Sequence, residues 1–172
     1  MTSWNFRIRL NRVPDDSEID ALFEAGLSDA AVEGNILDID RDADTLADAV
    51  VSAVSNVSEV KHLHAIGLEV GDEVTLADAA QRLGGGRTAE SLRLLAEGKR
   101  GPGGFPRPIV DTGRIRVYSW AQIAEYVEKL GDRVPGYSLE LALFDRALRL
   151  RHQAMDLGED RILAVERLLH AA

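Results

Sequence analysis

Residues 76–98 read LADAAQRLGGGRTAESLRLLAEG, and this stretch decides the fold predicted for the middle of the chain. Apolar residues recur at helical spacing on both sides of the glycine run Gly84–Gly86. The pattern therefore predicts two short helices, over 76–83 and 87–97, joined by a three-residue turn. Two short helices with a glycine-containing turn between them are typical of the helix–turn–helix unit.

The second predicted helix carries the residue types that contact DNA. Thr75 and Asp78 have capping-box spacing before the first helix, whereas Ala89, Leu92 and Leu95 are expected to face the core from the second. In a helix–turn–helix unit the second helix enters the major groove with its N-terminal residues leading. The candidate base-contacting residues, all able to hydrogen-bond to bases or phosphates, are Arg87, Thr88, Glu90, Ser91 and Arg93.

Basic residues continue beyond this helix. The glycine- and proline-rich stretch 99–108 predicts a rigid connector, since it lacks the Gly-Lys-Ser/Thr context of a nucleotide-binding P-loop. A hairpin is predicted over 109–118, and its alternation places Ile115 and Val117 inside and Tyr118 outside with the hairpin arginines. The candidate contacts to a nucleic-acid backbone are Lys99, Arg100, Arg107, Arg114 and Arg116.

The segment that follows the hairpin completes a known order of elements. Ser119 and Gln122 have capping-box spacing for a helix with Trp120, Ile123 and Val127 on its inner side. The predicted order is helix, turn, helix, basic hairpin and helix. This order resembles that of a MerR-like or excisionase-like winged helix, in which the hairpin is the wing. The run Arg-Val-Tyr-Ser that leads from the hairpin into the last helix is part of this resemblance.

A closer resemblance covers about three quarters of the chain. LADAA at 76–80 and GPGGFPRP at 101–108 are similar to small DNA-binding proteins common in actinobacteria. In those proteins an acidic N-terminal segment with a Leu-Phe-Glu-Ala-Gly motif, here 22–26, precedes the winged helix. One departure is Gly84–Gly86, which stands where the family has a single-glycine turn. The resemblance implies sequence-specific binding of double-stranded DNA by recognition helix 87–97 and wing 109–118.

Charge is distributed unevenly along the chain. The net charge is −9, yet residues 75–120 carry eight Lys or Arg and four Asp or Glu, whereas residues 1–74 carry five and sixteen. A local basic segment attracts phosphate whatever the charge of the whole chain.

No cysteine is present, which excludes thiolate zinc sites and a cysteine nucleophile. We therefore expect no enzyme activity and no cofactor, and a cytoplasmic protein that associates with the nucleoid when bound to DNA.

The acidic N-terminal segment, residues 1–73, predicts an α+β domain. Asp15 and its neighbours open a helix whose apolar face carries Ile19, Leu22 and Phe23, and Asp44 or Thr45 caps a second helix. The order β-α-β-β-α-β is that of the ferredoxin-like fold, with both helices on one face of a four-stranded sheet. The predicted strands cover 6–10, 30–33, 36–39 and 63–70.

Two groups of polar residues in this segment suggest metals but fail on spacing. Asp38, Asp40, Asp42 and Asp44 alternate as in a calcium loop, but neither register places Gly at position six and Glu at position twelve. His62 and His64 would share one side of a strand, with no third ligand assignable from the sequence. The sequence therefore predicts no metal site.

The C-terminal segment, residues 132–172, is predicted to be a helical extension with an apolar stripe that includes Leu143, Leu150 and Leu157. These helices either pack on the N-terminal domain or form a homodimer, and the resemblance favours the dimer because MerR-like proteins commonly pair through C-terminal helices. The predicted function is that of a transcriptional regulator or recombination-accessory factor. The alternative is an antitoxin-like or adaptor protein that binds a protein partner through its acidic N-terminal domain, and we expect no membrane association.

Overall fold

The computed structural model describes residues 1–134, 138–155 and 159–170, with the backbone alone for 159, 160 and 169. Its described elements are helices and antiparallel strands, which confirms the predicted α+β class. Leu157, one of the three predicted dimerisation residues, lies outside the described residues. Within the described chain, no helix combines the length and apolar character needed to cross a membrane.

The chain divides into two compact units, Met1–Val70 with Leu143–Ala172, and Gly71–Ala142. This grouping differs from the three predicted segments 1–73, 74–131 and 132–172. The first boundary moves by only a few residues, to the Gly71-Asp72 turn. The last segment does not form a unit of its own, because its residues from Leu143 onward belong with the N-terminal unit.

The first unit contains a four-stranded antiparallel sheet in the order β2-β3-β1-β4. The last strand is shorter than the predicted 63–70, and its pairing with β1 is irregular between Arg9 and Leu10. The strands are β1 (Thr2–Leu10), β2 (Ala30–Glu33), β3 (Ile36–Ala43) and β4 (Ala65–Leu68).

Two helices, α1 (Asp16–Glu24) and α2 (Leu46–Glu59), contribute buried side chains to this unit. Asp15 caps α1 in a capping box with Glu18, and Thr45, rather than Asp44, caps α2. Phe23 was expected in the core but is exposed, since the fully buried Leu22 and Leu27 occupy the place beside α1. The buried apolar residues of the strands and α2 include Phe6, Ile8, Leu10, Leu37, Ile39, Val50, Ala53 and Val57.

Part of helix α6 (Leu139–Met155) belongs to the first unit through a buried carboxylate. Asp145 is 4% exposed and accepts the Leu68 backbone N–H and the Arg149 Nε–H, both at 2.8 Å. A Cβ on Gly67 would lie 2.7 Å from Asp145 Oδ1, so glycine is what lets the carboxylate approach β4. The last helix of the unit is α7 (Glu159–His170).

The second unit has a three-stranded sheet in the order β5-β7-β6 and three helices among its described residues. Its core is built by Leu83, Leu92, Leu95, Tyr118, Trp120, Ile123 and Val127, with smaller residues between them. The elements in chain order are β5 (Glu73–Val74), α3 (Leu76–Arg82), α4 (Ala89–Ala96), β6 (Val110–Asp111), β7 (Arg116–Ser119) and α5 (Trp120–Lys129).

The helix starts of this unit follow the predicted caps. Thr75 and Asp78 form the predicted capping box at α3, and the Ser119 hydroxyl accepts the Gln122 N–H at 3.3 Å at the start of α5. The second helix begins two residues later than predicted, because Thr88 is its N-cap. Arg87 therefore precedes α4 rather than lying in it.

Three expected burial positions in this unit are wrong. Ala89 is exposed, and Leu92 and Leu95 alone carry the buried face of α4. On the hairpin Ile115 is 58% exposed and Tyr118 only 1%, although the arginines are exposed as expected and Val117 is half-buried. Tyr118 is buried because its strand pairs with β5 and because the Phe105 ring packs edge-on against it at 5.9 Å.

Candidate functional site

The start of α4 uses its hydroxyl groups to build the helix. The Thr88 hydroxyl accepts the Ser91 N–H at 3.1 Å, and the Ser91 hydroxyl donates to the Thr88 carbonyl at 2.9 Å. Both residues were predicted to contact DNA. Their hydroxyl oxygens keep acceptor capacity, but their first role is to begin the helix at this position.

Arg93 lies between two carboxylates on the surface of α4. Its guanidinium donates to Glu90 at 2.8 Å through Nε and to Glu97 through Nη1, and Lys99 forms a 2.8 Å ion pair with Glu97. Hydrogen bonds from Arg93 lower the pKa of Glu90, and those from Lys99 and then Arg93 lower the pKa of Glu97. Two of the predicted cations, Arg93 and Lys99, are thus neutralised by neighbouring carboxylates.

Arg87 is neutralised by a residue 45 positions away in the sequence. Its Nη2 donates to Asp132 Oδ1 at 3.1 Å, and its Nε donates to the other carboxylate oxygen. The two side chains are 19% and 26% exposed, so this two-point ion pair is largely shielded from water. In the sequence, the only signal at Asp132 is its place in the polar stretch after α5.

The connector 99–108 is fixed to the core by aromatic side chains. The Phe105 ring packs edge-on against Tyr126 at 5.2 Å, and the Tyr126 hydroxyl donates to the Gly103 carbonyl at 3.1 Å. Gly101 has a φ of +75°, and a Cβ there would lie 2.6 Å from a Leu95 methyl group. Glycine is therefore required at this position, and the predicted rigid connector has a physical basis.

The wing keeps its predicted turn but presents a mixed surface. Arg116 Nε lies 3.1 Å from Asp111 Oδ2 across the hairpin. Gly113 has a φ of +78°, and its N–H donates to Asp111 Oδ1 at 2.9 Å. Beside the arginines the wing exposes three aliphatic side chains, Ile109, Val110 and Ile115.

Three of the ten predicted contact residues carry a charge that no residue in the described parts of the chain balances. Arg100, Arg107 and Arg114 are exposed, and none of them forms an ion pair with another residue in the described parts of the chain. Arg100 lines one cavity of about 480 Å³ together with Arg87 and Ser91. Arg107 lines a different cavity, which includes Tyr126 and Lys129.

Asp72 fixes the junction between the wing and α5. No sequence motif singles out this residue. Its Oδ1 accepts the Ser119 hydroxyl at 3.0 Å and the Ala121 N–H at 2.8 Å, and its backbone carbonyl accepts the Trp120 N–H at 2.6 Å. The Arg82 guanidinium lies 5.5 Å from the Trp120 ring centroid, a cation–π contact from α3 to α5. These contacts set where the wing leaves the core.

The predicted dimerisation residues that the structure describes lie in α6 and are accessible. Leu143 is 61% exposed and Leu150 37% exposed. Both line a cavity of about 550 Å³ between α6 and α7, with Ile162 and Val165 on the other side. The lining of the groove is mostly apolar and includes the charged residues Arg146, Arg151 and Glu166.

Among the described residues, no group of three or more His, Cys, Asp or Glu side chains is arranged to hold a metal ion. Two of the alternating carboxylates, Asp38 and Asp40, accept hydrogen bonds from Asn5 Nδ2, at 3.2 Å and 3.0 Å. Comparisons of the chain with protein-family models, with curated proteins and with solved structures return no match. The side chains themselves therefore carry the functional argument.

Proposed function

We propose that residues Gly71–Ala142 are a winged helix–turn–helix module that binds double-stranded DNA with sequence specificity. In this proposal α3 and α4 are the helix–turn–helix, α4 is the recognition helix, and the β6–β7 hairpin is the wing. The protein is then a transcriptional regulator or a recombination-accessory factor, acting in the cytoplasm at the nucleoid, and it needs no catalytic group.

The observation that carries the proposal is the set of three unpaired arginines, Arg100, Arg107 and Arg114. They lie on the connector and the wing, directly after the helix that would enter the groove. Neutralising phosphates with Lys and Arg releases counterions and supplies most of the sequence-independent affinity for DNA. Unpaired cations contribute most to this term, because no intramolecular ion pair has to break first.

Under this proposal the residues of α4 have a different role from the arginines of the connector and wing. Arg93 is held by Glu90 and Glu97, so contact with a guanine requires it to exchange a carboxylate for the base. Such an exchange favours a base that offers two acceptors over a single phosphate oxygen. We therefore assign Arg93 and Glu90 to base reading, and the connector and wing arginines to positioning.

The N-terminal unit is proposed to be a ferredoxin-like domain, which its strand order β2-β3-β1-β4 and its order of elements support. The outer face of its sheet favours a second candidate function, in which an antitoxin-like or adaptor protein binds a protein partner. On this face the Arg7 guanidinium forms ion pairs with Glu33 at 2.8 Å, Glu69 at 3.6 Å and Asp38 at 3.7 Å. Carboxylates outnumber arginines on this face, so its partner would be basic.

We also propose that the protein is a homodimer joined through the groove of α6 and α7. A single winged helix contacts few base pairs, and two copies on a two-fold axis double the sequence that is recognised. Leu143 and Leu150 would lie at this interface. The binding site would then be a palindrome with half-sites about one helical turn apart.

A selection from random duplex DNA with the full chain, repeated at two salt concentrations, tests the proposal. We expect one enriched motif, about tenfold or more weaker binding of that motif by Arg93→Ala, and relaxed preference at one base pair. Arg114→Ala should weaken all sequences equally and lower the salt slope by about one unit.

The matched control is Arg161→Ala, which removes an exposed arginine from α7. It should leave the selected motif and the salt slope unchanged. A selection without an enriched motif, or equal effects of Arg93→Ala and Arg114→Ala on specific and random DNA, would overturn the DNA proposal in favour of the protein-binding candidate.

A further inference from the structure

A cavity of about 480 Å³ lies within the second unit, between the residues that precede α4, the start of the connector and the residues that follow α5. Its polar side chains are Arg87, Ser91, Arg100 and Asp132, and Gly86 and Gly101 line it without side chains that could fill it. Two arginines and one aspartate therefore line the same space. The cavity carries an excess of positive charge although one of its arginines is paired.

The carboxylate occupies the place that an anionic ligand would take. Asp132 presents both oxygens to Arg87 Nε and Nη2, which is the two-point geometry that guanidinium also offers to two phosphate oxygens. Arg100 lines the same cavity and forms no ion pair with another described residue. An anionic ligand in the cavity would thus find Arg100 unpaired. It would also find the Arg87 guanidinium available if Asp132 moved.

Asp132 is positioned to be displaced without unfolding the unit. It follows Gly131, whose φ is +94°, and its N–H donates to the Val127 carbonyl at 3.1 Å. The backbone is thus fixed by the end of α5, and the carboxylate forms its hydrogen bonds with Arg87. Rotation of this one side chain frees the Arg87 guanidinium while the helix end stays in place.

We propose that this cavity binds a phosphate group and that Asp132 is an intramolecular counter-ion which the phosphate displaces from Arg87. The claim that this phosphate belongs to a DNA backbone rests on the proposed function. The claim that the cavity binds a phosphate group does not depend on it. In the free protein Asp132 lowers the affinity of Arg87 for any single phosphate. A DNA backbone that also contacts Arg100 compensates for the lost ion pair, so the counter-ion suppresses weak, single-point binding more than binding along a duplex.

The test compares full-chain variants by amide NMR during titration with inorganic phosphate. Asp132→Asn should bind phosphate about three- to tenfold more tightly than wild type, the scale expected for one partly shielded charge. The shifts should centre on Arg87 and on Arg100–Gly101. Glu125→Gln is the matched control, because it removes the same charge from an α5 carboxylate that is paired with Lys129, and it should leave phosphate binding unchanged.

A double variant guards against misfolding. Arg87→Ala alone leaves Asp132 without its partner, so Arg87→Ala with Asp132→Ala removes both charges and keeps the net charge of wild type. Its thermal unfolding should remain cooperative, and it should bind phosphate more weakly than Asp132→Ala by about tenfold or more. Equal phosphate affinity of these two variants, or no effect of Asp132→Asn, overturns the proposal.

A second arm identifies the source of the phosphate. Fluorescence anisotropy with a random-sequence duplex should show tighter binding by Asp132→Asn than by wild type, and a smaller gain for Glu125→Gln, which lies beside Arg107 in the other cavity. Phosphate binding that depends on Arg87, without any duplex binding, supports the cavity as a site for free phosphate and refutes the DNA function. Duplex binding that ignores both Asp132 and Arg87 refutes the cavity and leaves the DNA function standing.

Discussion

Asp72 accepts a hydrogen bond from the Ser119 hydroxyl at 3.0 Å, and this contact joins the first residues of the second unit to the junction of wing and α5. Both side chains are buried. The Ser119 oxygen in turn accepts the Gln122 N–H, so the carboxylate orients the residue that caps the helix. Asp72 therefore controls how the wing leaves the core, although it lies at the opposite end of the unit's sequence.

Replacing Asp72 with Ala should destabilise the second unit by about 1–3 kcal/mol, because the Ser119 hydroxyl and the Ala121 N–H would lose their buried acceptor. Unfolding in urea measures the effect through the fluorescence of Trp120, which is buried in this unit. A Trp4→Phe background removes the other tryptophan. The exposed wing variant Asp111→Ala is the control and should change stability less, and equal stabilities of the two variants would contradict the assigned role of Asp72.

Replacing Gly67 with Ala should release the contact between α6 and β4. The added Cβ would lie 2.7 Å from Asp145 Oδ1, so the carboxylate must move away from the Leu68 N–H that it accepts at 2.8 Å. Hydrogen exchange measures this directly, and the Leu68 amide should exchange faster in the variant. Asp145→Ala should have the same effect on that amide, and unchanged protection of Leu68 in both variants would show that the contact does not hold in solution.

Acid should weaken the start of α1 through Glu18. Hydrogen bonds from Arg12 and then from the Asp15 N–H lower the pKa of Glu18 to about 2. Because this pKa is below that of the unfolded chain, ionised Glu18 adds stability above the ordinary pKa, about 4.3. That contribution is lost as the pH falls from there towards 2.

An NMR pH titration of the Glu18 side-chain carboxyl tests this prediction. The pKa should be about 2 in wild type and closer to the ordinary glutamate value in Arg12→Ala, whereas Glu24→Gln on the same helix should leave it unchanged. In denaturation experiments Glu18→Gln should lower stability at neutral pH, and the difference from wild type should shrink as the pH falls towards 2. A wild-type titration near pH 4 would show that the Arg12 contact is not populated.

Local signals were enough to predict most of the elements. The caps at Thr75 and Ser119 and the strand pattern of β1 depend on residues within four positions of each other, so they are visible in the sequence. The burial of Ile115 and Tyr118 was predicted wrongly, because alternation says which residues share a face and not which of them another element covers. Pairing with β5 and packing of Phe105 decide that Tyr118 is inside and Ile115 outside.

The candidate site was predictable in its residue types but not in its charge state. Arg87, Arg93 and Lys99 are predicted to contact DNA, and in the structure each has a carboxylate partner. The partners of Arg93 are three and four residues away and could have been inferred from helical spacing. The Arg87–Asp132 pair could not be inferred in this way, because its residues are 45 positions apart. The same holds for the contact of Leu68 with Asp145, whose residues are 77 positions apart.

The groove between α6 and α7 gives the last prediction, a homodimer that one substitution separates. Leu150 is 37% exposed beside Leu143 on the groove wall, and a second copy would cover both. Leu150→Ala should weaken such an interface by about 2–5 kcal/mol if the contact is well packed. Leu150→Asp should abolish it, because the burial of an unpaired carboxylate is costly. The substituted side chain lies outside the core of the second unit, so α3 to α5 should stay folded.

Light scattering after size-exclusion chromatography measures the mass directly. Wild type should elute as a dimer at micromolar concentrations, and Leu150→Asp as a monomer with an unchanged near-ultraviolet signal from Trp120. Val51→Asp is the matched control, because it places the same charge at an exposed apolar position of α2, and it should remain a dimer. A monomeric wild type would refute the dimer, and DNA binding would then have to be achieved by one module, with a single half-site instead of a palindrome in the selected motif.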